Sequence, residues 1–168
     1  LKSGDTVIDG GVSLYTHYEE KFYYIIGKEG RIIGFEPDTN NVGKIKEKLK
    51  EYSNIEIYPY GLWNKKTSMK LWAVDFPPSN IVKKDWNFDL RRKNDNYITA
   101  NFIKLDDFIK ENNVQKLNYI RMNIEGSELE ALMGAKNTLK TFKPKLHIFI
   151  DQHPTQLFSI ILYLNSLN

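Results

Sequence analysis

The chain has 168 residues, 41% hydrophobic and 27% charged, a length and balance that fit one folded, water-soluble domain and exclude a disordered or fibrous polymer. With no cysteine it can hold no thiol nucleophile, zinc ribbon, iron–sulfur cluster or disulfide, and His17, His147 and His153 are too scattered for a transition-metal motif. The net charge of +3 comes without a basic stripe, so no nucleic-acid partner is expected, and no apolar run approaches the ~20 residues that would span a membrane. A cytoplasmic location is the default, and the opening at Leu1, almost directly before a strand, is expected of a piece of a longer gene product.

Thr6–Asp9 is a β-branched run that stops at Gly10-Gly11, the pattern of a buried strand ending in a tight turn. Leu14, Tyr15, Tyr18, Phe22, Ile25 and Ile26 then recur at helical spacing, with Ser13 at the N-cap position and Gly27 or Gly30 closing the helix. Arg31–Glu36 is a second strand with its single acid at the carboxyl end, followed by Pro37-Asp38-Thr39-Asn40 as turn and helix start. Val42, Ile45 and Leu49 mark one face of that helix, and the lysines between them read as a solvated face. Ile55–Tyr60 makes a third strand, interrupted by Pro59 and closed by Gly61. The βαβαβ alternation specifies a Rossmann-like α/β three-layer sandwich with a mostly parallel sheet.

Thr67–Val74 and Tyr97–Ile103 read as further strands that pair with each other, bracketing Asp75–Asn96 as a long, variable loop insertion. After a helix over Leu105–Asn112, Leu117–Gly126 reads as strand four and its exit turn. Apolar Ile120, Met122 and Ile124 alternate there with Arg121, Asn123 and Glu125, whereas central parallel strands are ordinarily apolar on both faces, so a pocket is expected at the strand's carboxyl end. Ser127 stands where it can cap one helix carrying Leu129, Leu132, Met133 and Leu139; Leu146–Ile150 is the fifth strand and Gln156–Leu164 a last apolar helix.

Ligands of open α/β sheets sit beyond the carboxyl ends of the strands. Gly10-Gly11 lets a ligand approach the backbone there, Glu36 can accept two hydrogen bonds from ribose hydroxyls, and Asp9 would either orient the loop or bind an ammonium. Together they describe a nucleoside-bearing cofactor. The stretch Gly10-Gly11-Val12-Ser13-Leu14-Tyr15 lacks the G-x-G-x-x-G spacing a dinucleotide needs, so a nucleoside with an amino-acid tail fits better.

The segments Gly4–Gly11, Gly34-Phe35-Glu36-Pro37, Leu105-Asp106-Asp107, Asn123–Ala135 and Lys143-Pro144-Lys145-Leu146 together resemble the FkbM family of S-adenosylmethionine-dependent methyltransferases, the closest likeness being Asn123-Ile124-Glu125-Gly126 to its Asp-Val-Glu-Gly signature. The resemblance implies a class I methyltransferase-like fold, here cut down at the C-terminal hairpin, with S-adenosyl-L-methionine as cofactor. It implies a small-molecule or glycan acceptor, methylated on a hydroxyl. Cofactor contacts are expected from Asp9, Gly10, Gly11, Glu36, Pro37, Gly61, Leu62 and Asn123. A general base near the strand tips is needed for a hydroxyl acceptor, and Glu125 and His153 are the candidates. Tyr60, Trp63 and Trp72 receive no catalytic role.

Two positions depart from the family pattern. Tyr15 stands for a third glycine and Asn123 for an aspartate. Tyr15 either swings away along the first helix onto its buried face, as the spacing with Tyr18 and Phe22 favours, or occupies the space of the methionine moiety, and binding is expected but weakened by crowding. The alternative function is a cofactor-binding or interaction domain of the same fold with weakened or lost catalysis.

Overall fold

The computed structural model describes residues 1–74, 79–82, 97–150 and 155–167. In chain order the elements are β1 (Thr6–Gly10), α1 (His17–Ile26), β2 (Arg31–Phe35), α2 (Thr39–Lys48), β3 (Ile55–Tyr58), β4 (Gly61–Leu62), β5 (Thr67–Val74), β6 (Ser79–Val82), β7 (Tyr97–Ile103), α3 (Leu105–Glu111), β8 (Tyr119–Met122), α4 (Glu128–Met133), α5 (Lys136–Phe142), β9 (Lys145–Ile148) and α6 (Gln156–Asn165).

β3, β2, β1, β8 and β9, in that spatial order, form an all-parallel sheet. β1 is buried at every residue, as a central strand covered on both faces requires. Its pleat divides the core. Ile8, level with Ile33 and Ile120, packs with Phe108 of α3, Leu132 of α4, Leu139 of α5 and Ile160 of α6. Val7, level with Ile32, packs on the other face with Phe22 and Ile26 of α1, and Ile57 meets Val42 and Ile45 of α2. The result is a Rossmann-like α/β sandwich, helices on both faces of the parallel sheet.

The Ile55–Tyr60 run is not one strand. Pro59 has no N–H to donate, Tyr60 N–H turns back to the carbonyl of Tyr58 at 2.9 Å, and the chain leaves the main sheet. It restarts as β4, the edge of a second sheet ordered β4-β7-β5-β6. β5 and β7 pair antiparallel, with Leu71 level with Ile98, and Leu71, Ala100 and Phe102 form a buried cluster of their own. Within the expected loop, β6 pairs antiparallel with β5; the remainder of 75–96 lies outside the described residues.

Two helix boundaries also differ. α1 begins four residues after Ser13, because Thr16 adopts a left-handed conformation (φ 50°), and the Ser13 hydroxyl instead accepts the Tyr15 N–H at 3.2 Å. Tyr15 therefore precedes the helix and is 56% exposed, not on its buried face. The single helix expected after strand four is two, split beside Gly134, where a Cβ would lie 2.0 Å from the carbonyl oxygen of Trp63. α5 starts at Lys136, and the preceding residue, Ala135, has no side chain that can cap it. Asp106 of α3 supplies the cap, accepting from Asn137 N–H at 3.0 Å and Thr138 N–H at 2.8 Å. No helix among the described residues is long and apolar enough to cross a membrane.

Candidate functional site

The chain runs outward from β1 through β2 to β3 and then returns to β8 on the other side of β1, so strand order reverses between β1 and β8. At such a point the connecting loops diverge and leave a crevice. Here that crevice is a cleft of about 780 Å³, including its open mouth. Gly11–Leu14 line it beyond β1, Glu36 and Pro37 beyond β2, and Asn123–Glu125 beyond β8, while Tyr60–Leu62 with Leu71 and Phe102 of the second sheet close one side.

Gly11, Glu36, Pro37, Gly61, Leu62, Asn123 and Glu125 are thus brought together. Asp9 and Gly10 do not line the cleft. Gly10 is wedged beneath it, where a Cβ would meet Leu62 at 3.2 Å and Met122 at 3.5 Å. Its neighbour Gly11 has φ +89°, and a Cβ there would lie 2.1 Å from the carbonyl oxygen of Asn123. Only glycine permits this crossing. The N–H groups of Gly11 and Val12 both donate to the carbonyl of Phe35, so the turn after β1 is fixed to β2 on one side and pressed on β8 on the other. His153 lies outside the described residues.

Glu36 is 8% exposed. One carboxylate oxygen accepts the Asp38 N–H at 2.9 Å, and Asp38 in turn caps α2 by accepting from Asn40 N–H. Burial pushes the Glu36 carboxyl up from 4.5 to about 7, against the hydrogen bonds from Asp38 and Asn41, which favour its charged form. A ligand that donates hydroxyl hydrogen bonds to it would restore part of the solvation that burial removed.

Asp9 is fully buried and bound to Arg121 Nη1 at 2.7 Å. The Arg121 guanidinium lies 3.9 Å from the ring centroid of Tyr18, and the same nitrogen approaches the carbonyl of Gly11 at 3.5 Å. Glu19 of α1 joins this cluster. Burial first, then the Asp9 charge, pushes its carboxyl up to about 9, so it holds a proton at neutral pH. Burial also raises Asp9, with Arg121 opposing. Of the two roles open to Asp9 in the sequence, orienting the loop matches this geometry, since Asp9 lies outside the cleft lining and one of its oxygens is bound to Arg121, which approaches the Gly11 carbonyl.

Sequence reasoning missed Glu128. Its buried carboxylate accepts from Ile124 N–H at 2.9 Å, from Gly126 N–H at 3.4 Å and from the Gln156 side-chain amide at 2.6 Å. It holds a turn in which Glu125 (φ 55°) and Gly126 (φ 91°) are both left-handed, a conformation that costs a non-glycine residue ~1–3 kcal/mol and persists only where the surroundings enforce it. A signal was present: Glu128 shares the spacing of buried Ala131, Leu132 and Ala135, and an acid on a helix's buried face asks for partners. Ser127, expected as a helix cap, makes no cap hydrogen bond.

A buried acid beside a glycine turn, facing an apolar and aromatic wall, suits a ribose and its base. The donor set therefore fits a nucleoside-bearing cofactor, with Glu36 toward the sugar and the Gly11–Leu14 backbone beside it.

Comparisons with known proteins bear on the fold and the family. A methyltransferase FkbM from Methylobacillus flagellatus KT superposes with a TM-score of 0.70 at 23% identity, covering 100% of this chain and 39% of that one. A protein described as a candidate rRNA methylase, from Clostridium thermocellum, superposes with a TM-score of 0.57 at 12% identity, covering 100% of this chain and 74% of that one. At these identities the likeness is one of fold, and the chain spans well under half of the first structure's length. No curated protein sequence gives a significant match. The profile of the methyltransferase FkbM domain matches residues 5–168, nearly the whole sequence. The chain belongs to the FkbM methyltransferase domain family.

Proposed function

We propose that this chain binds S-adenosyl-L-methionine in the cleft and transfers its methyl group to a hydroxyl of a sugar, glycan or other small molecule. The observation that carries the reading is the arrangement of Glu36, Gly11 and Asn123, each the first residue beyond a different strand, around one cleft at the strand-order reversal. The cofactor supplies an electrophilic methyl whose transfer to oxygen leaves the S–C bonding pair on sulfur as a neutral thioether. The chain's part is to align and to take a proton. Glu36 holds the ribose hydroxyls, Gly11 and its neighbours admit the cofactor to the backbone, and the wall of Tyr60, Leu62 and Phe102 receives the base. Glu125, which lines the same cleft in a left-handed backbone conformation beside the turn held by Glu128, is the base assigned to accept the hydroxyl proton as the new C–O bond forms.

Asn123 supports a second reading, a cofactor-binding domain without turnover, because it places a neutral amide in the cleft where the family carries an aspartate. Titration calorimetry with S-adenosylmethionine, S-adenosylhomocysteine and NAD, followed by incubation of the protein with labelled S-adenosylmethionine and a set of hydroxylated acceptors, tests both. Binding of the adenosyl sulfur compounds with methyl transfer is expected. Binding without transfer to any acceptor moves the assignment to the second reading, and binding of NAD alone ends both.

A further inference from the structure

We propose that Glu19 is a positioning residue for the cleft, acting through Asp9 and Arg121 on the turn after β1; what that turn receives rests on the cofactor reading above. Glu19 lies on α1 at 2% exposure, next to Tyr18, whose ring faces the Arg121 guanidinium, and its carboxyl is hydrogen-bonded to that of Asp9. Neither acid lines the cleft. Arg121 joins them to it: Nη1 is 2.7 Å from Asp9 Oδ1 and 3.5 Å from the carbonyl oxygen of Gly11, a residue that does line the cleft.

The cluster has one guanidinium for two buried carboxyls. Adjacent carboxyls shut off from water do not both ionise against a single cation, so one keeps a proton. Asp9 Oδ2 is buried and accepts from no N–H group among the described residues, which leaves the acid proton of Glu19 as the donor that completes it. Other charged groups nearby do not change that count. On α1, Glu20 accepts the Thr16 hydroxyl at 3.0 Å and Lys21 stands 5.9 Å from the Tyr18 ring; β2 turns Ile32 toward α1 and pairs Arg31 with Glu56; Tyr119 of β8 is a neutral phenol, and His147 of β9 acts on Asp9 from an exposed position. While Glu19 keeps its proton, Arg121 is shared between Asp9 and the Gly11 carbonyl. Once the proton leaves, Glu19 is a second anion for the same guanidinium, and the long contact to Gly11 is the one given up. Burial and the Asp9 charge set that loss at about 9, so the arrangement is intact at neutral pH and fails as pH rises through 9.

The test uses the whole chain, Glu19→Gln, which keeps a neutral donor for Asp9 but cannot ionise, and Glu19→Leu, which keeps the bulk and loses the donor. Calorimetry with S-adenosylhomocysteine is run at about pH 7 and about pH 10; the ligand's ammonium and the other groups of the chain titrate in every case and cancel between proteins. Glu19→Gln should bind within about threefold of the unsubstituted chain at the lower pH and about tenfold tighter than it at the higher, while Glu19→Leu should be about tenfold weaker at the lower. Nuclear magnetic resonance without ligand gives a reading independent of the cofactor: the Gly11 and Val12 amide signals should shift with a midpoint near 9 in the unsubstituted chain and stay fixed in Glu19→Gln. Amide signals that do not titrate, parallel affinity profiles for the unsubstituted chain and Glu19→Gln, or full affinity in Glu19→Leu would each overturn the assignment. If Glu19→Leu does not fold, the comparison with Glu19→Gln decides alone. Failure of the unsubstituted chain to bind S-adenosylhomocysteine while its Gly11 signal titrates would remove the cofactor reading and leave the positioning of the turn standing.

Discussion

At the carboxyl edge of the main sheet, two neighbouring parallel strands each carry an acid beside a turn. Asp9 is the penultimate residue of β1, and Glu36 is the first residue beyond β2. One residue inside the strand, the side chain is still governed by the pleat: Asp9 shares a face with Val7, which packs on α1, and so meets Glu19 of that helix and Arg121 of the next strand. One residue past the end, the pleat no longer dictates direction, and Glu36 opens onto the cleft. Both acids are buried and both are pushed toward protonation by it. What separates them is the partner. Asp9 has a guanidinium within the fold, whereas Glu36 has backbone and amide donors only. The comparison teaches that a carboxylate near a strand end is a structural group or a ligand group according to a one-residue difference in where the strand stops.

Removing the Asp9 carboxylate should produce the largest effect. Asp9→Ala leaves Arg121 charged and buried with its ion partner gone, a change that costs ~3–5 kcal/mol. Urea unfolding monitored by circular dichroism measures it. If stability were kept while S-adenosylhomocysteine affinity collapsed, Asp9 would be a ligand group and the contrast with Glu36 would fail.

The next effect is in the pH dependence of stability. The folded-state value for Glu36, about 7, lies above its ordinary 4.5, so its contribution is fully present below about 4.5 and is lost as pH rises through 7. Between those limits the unsubstituted chain should lose up to ~3 kcal/mol relative to Glu36→Gln. Glu19 titrates in both proteins and cancels in the difference. Parallel stability curves for the two proteins across this range would show that Glu36 is not the buried acid described here.

Binding should run the other way. Ribose hydroxyls donate to the ionised carboxylate, so S-adenosylhomocysteine affinity should tighten as pH rises toward 8, and Glu36→Ala should weaken it by ~1.5–3 kcal/mol, roughly tenfold to a hundredfold. Calorimetry at pH 6 and pH 8 on both proteins separates the claims. An alanine variant that binds as the unsubstituted chain does would remove Glu36 from the cofactor site.

The main sheet was legible in the sequence because β1 and β2 are short apolar runs, closed by a glycine or an acid and buried along nearly their whole length, while β3, β8 and β9 show apolar residues alternating with polar ones. β4 and β6 were not. Gly61-Leu62 is too short to show any period, and Ser79–Val82 sits in a stretch rich in turn-forming residues, so both depend on partners, β7 and β5, distant in sequence. The cleft residues of β1, β2 and β8 could be named because the ends of parallel strands are where chemistry collects. The groups that hold them could not: Glu19 and Glu128 reach their partners through packing of α1 and α4 on the sheet, and only their positions on buried helix faces betrayed them. The break between α4 and α5 is likewise tertiary, set by the approach of Gly134 to Trp63.

Tyr15 gives the smallest effect and the sharpest test of how far family pattern alone can be followed. It stands for a glycine of the opening loop, and the sequence leaves its ring either on the buried face of the helix or crowding the cofactor's methionine moiety. The structure removes that mechanism, since Thr16 takes the left-handed conformation, α1 starts only at His17, and the Tyr15 ring lies 56% exposed, 6.1 Å from the ring of His17 and outside the cleft lining. Tyr15→Ala keeps the N–H that donates to Ser13 and removes only an exposed ring. Exposed substitutions away from caps and cores usually fall within ~0.5 kcal/mol, so unfolding free energy and S-adenosylhomocysteine affinity should both hold, the latter within about twofold. Tighter binding by tenfold or more in Tyr15→Ala would mean that the ring enters the cleft when ligand is present. The departure from the glycine pattern would then be a functional one, and the turn after β1 would have to differ from the arrangement in which Gly11 rests on Asn123.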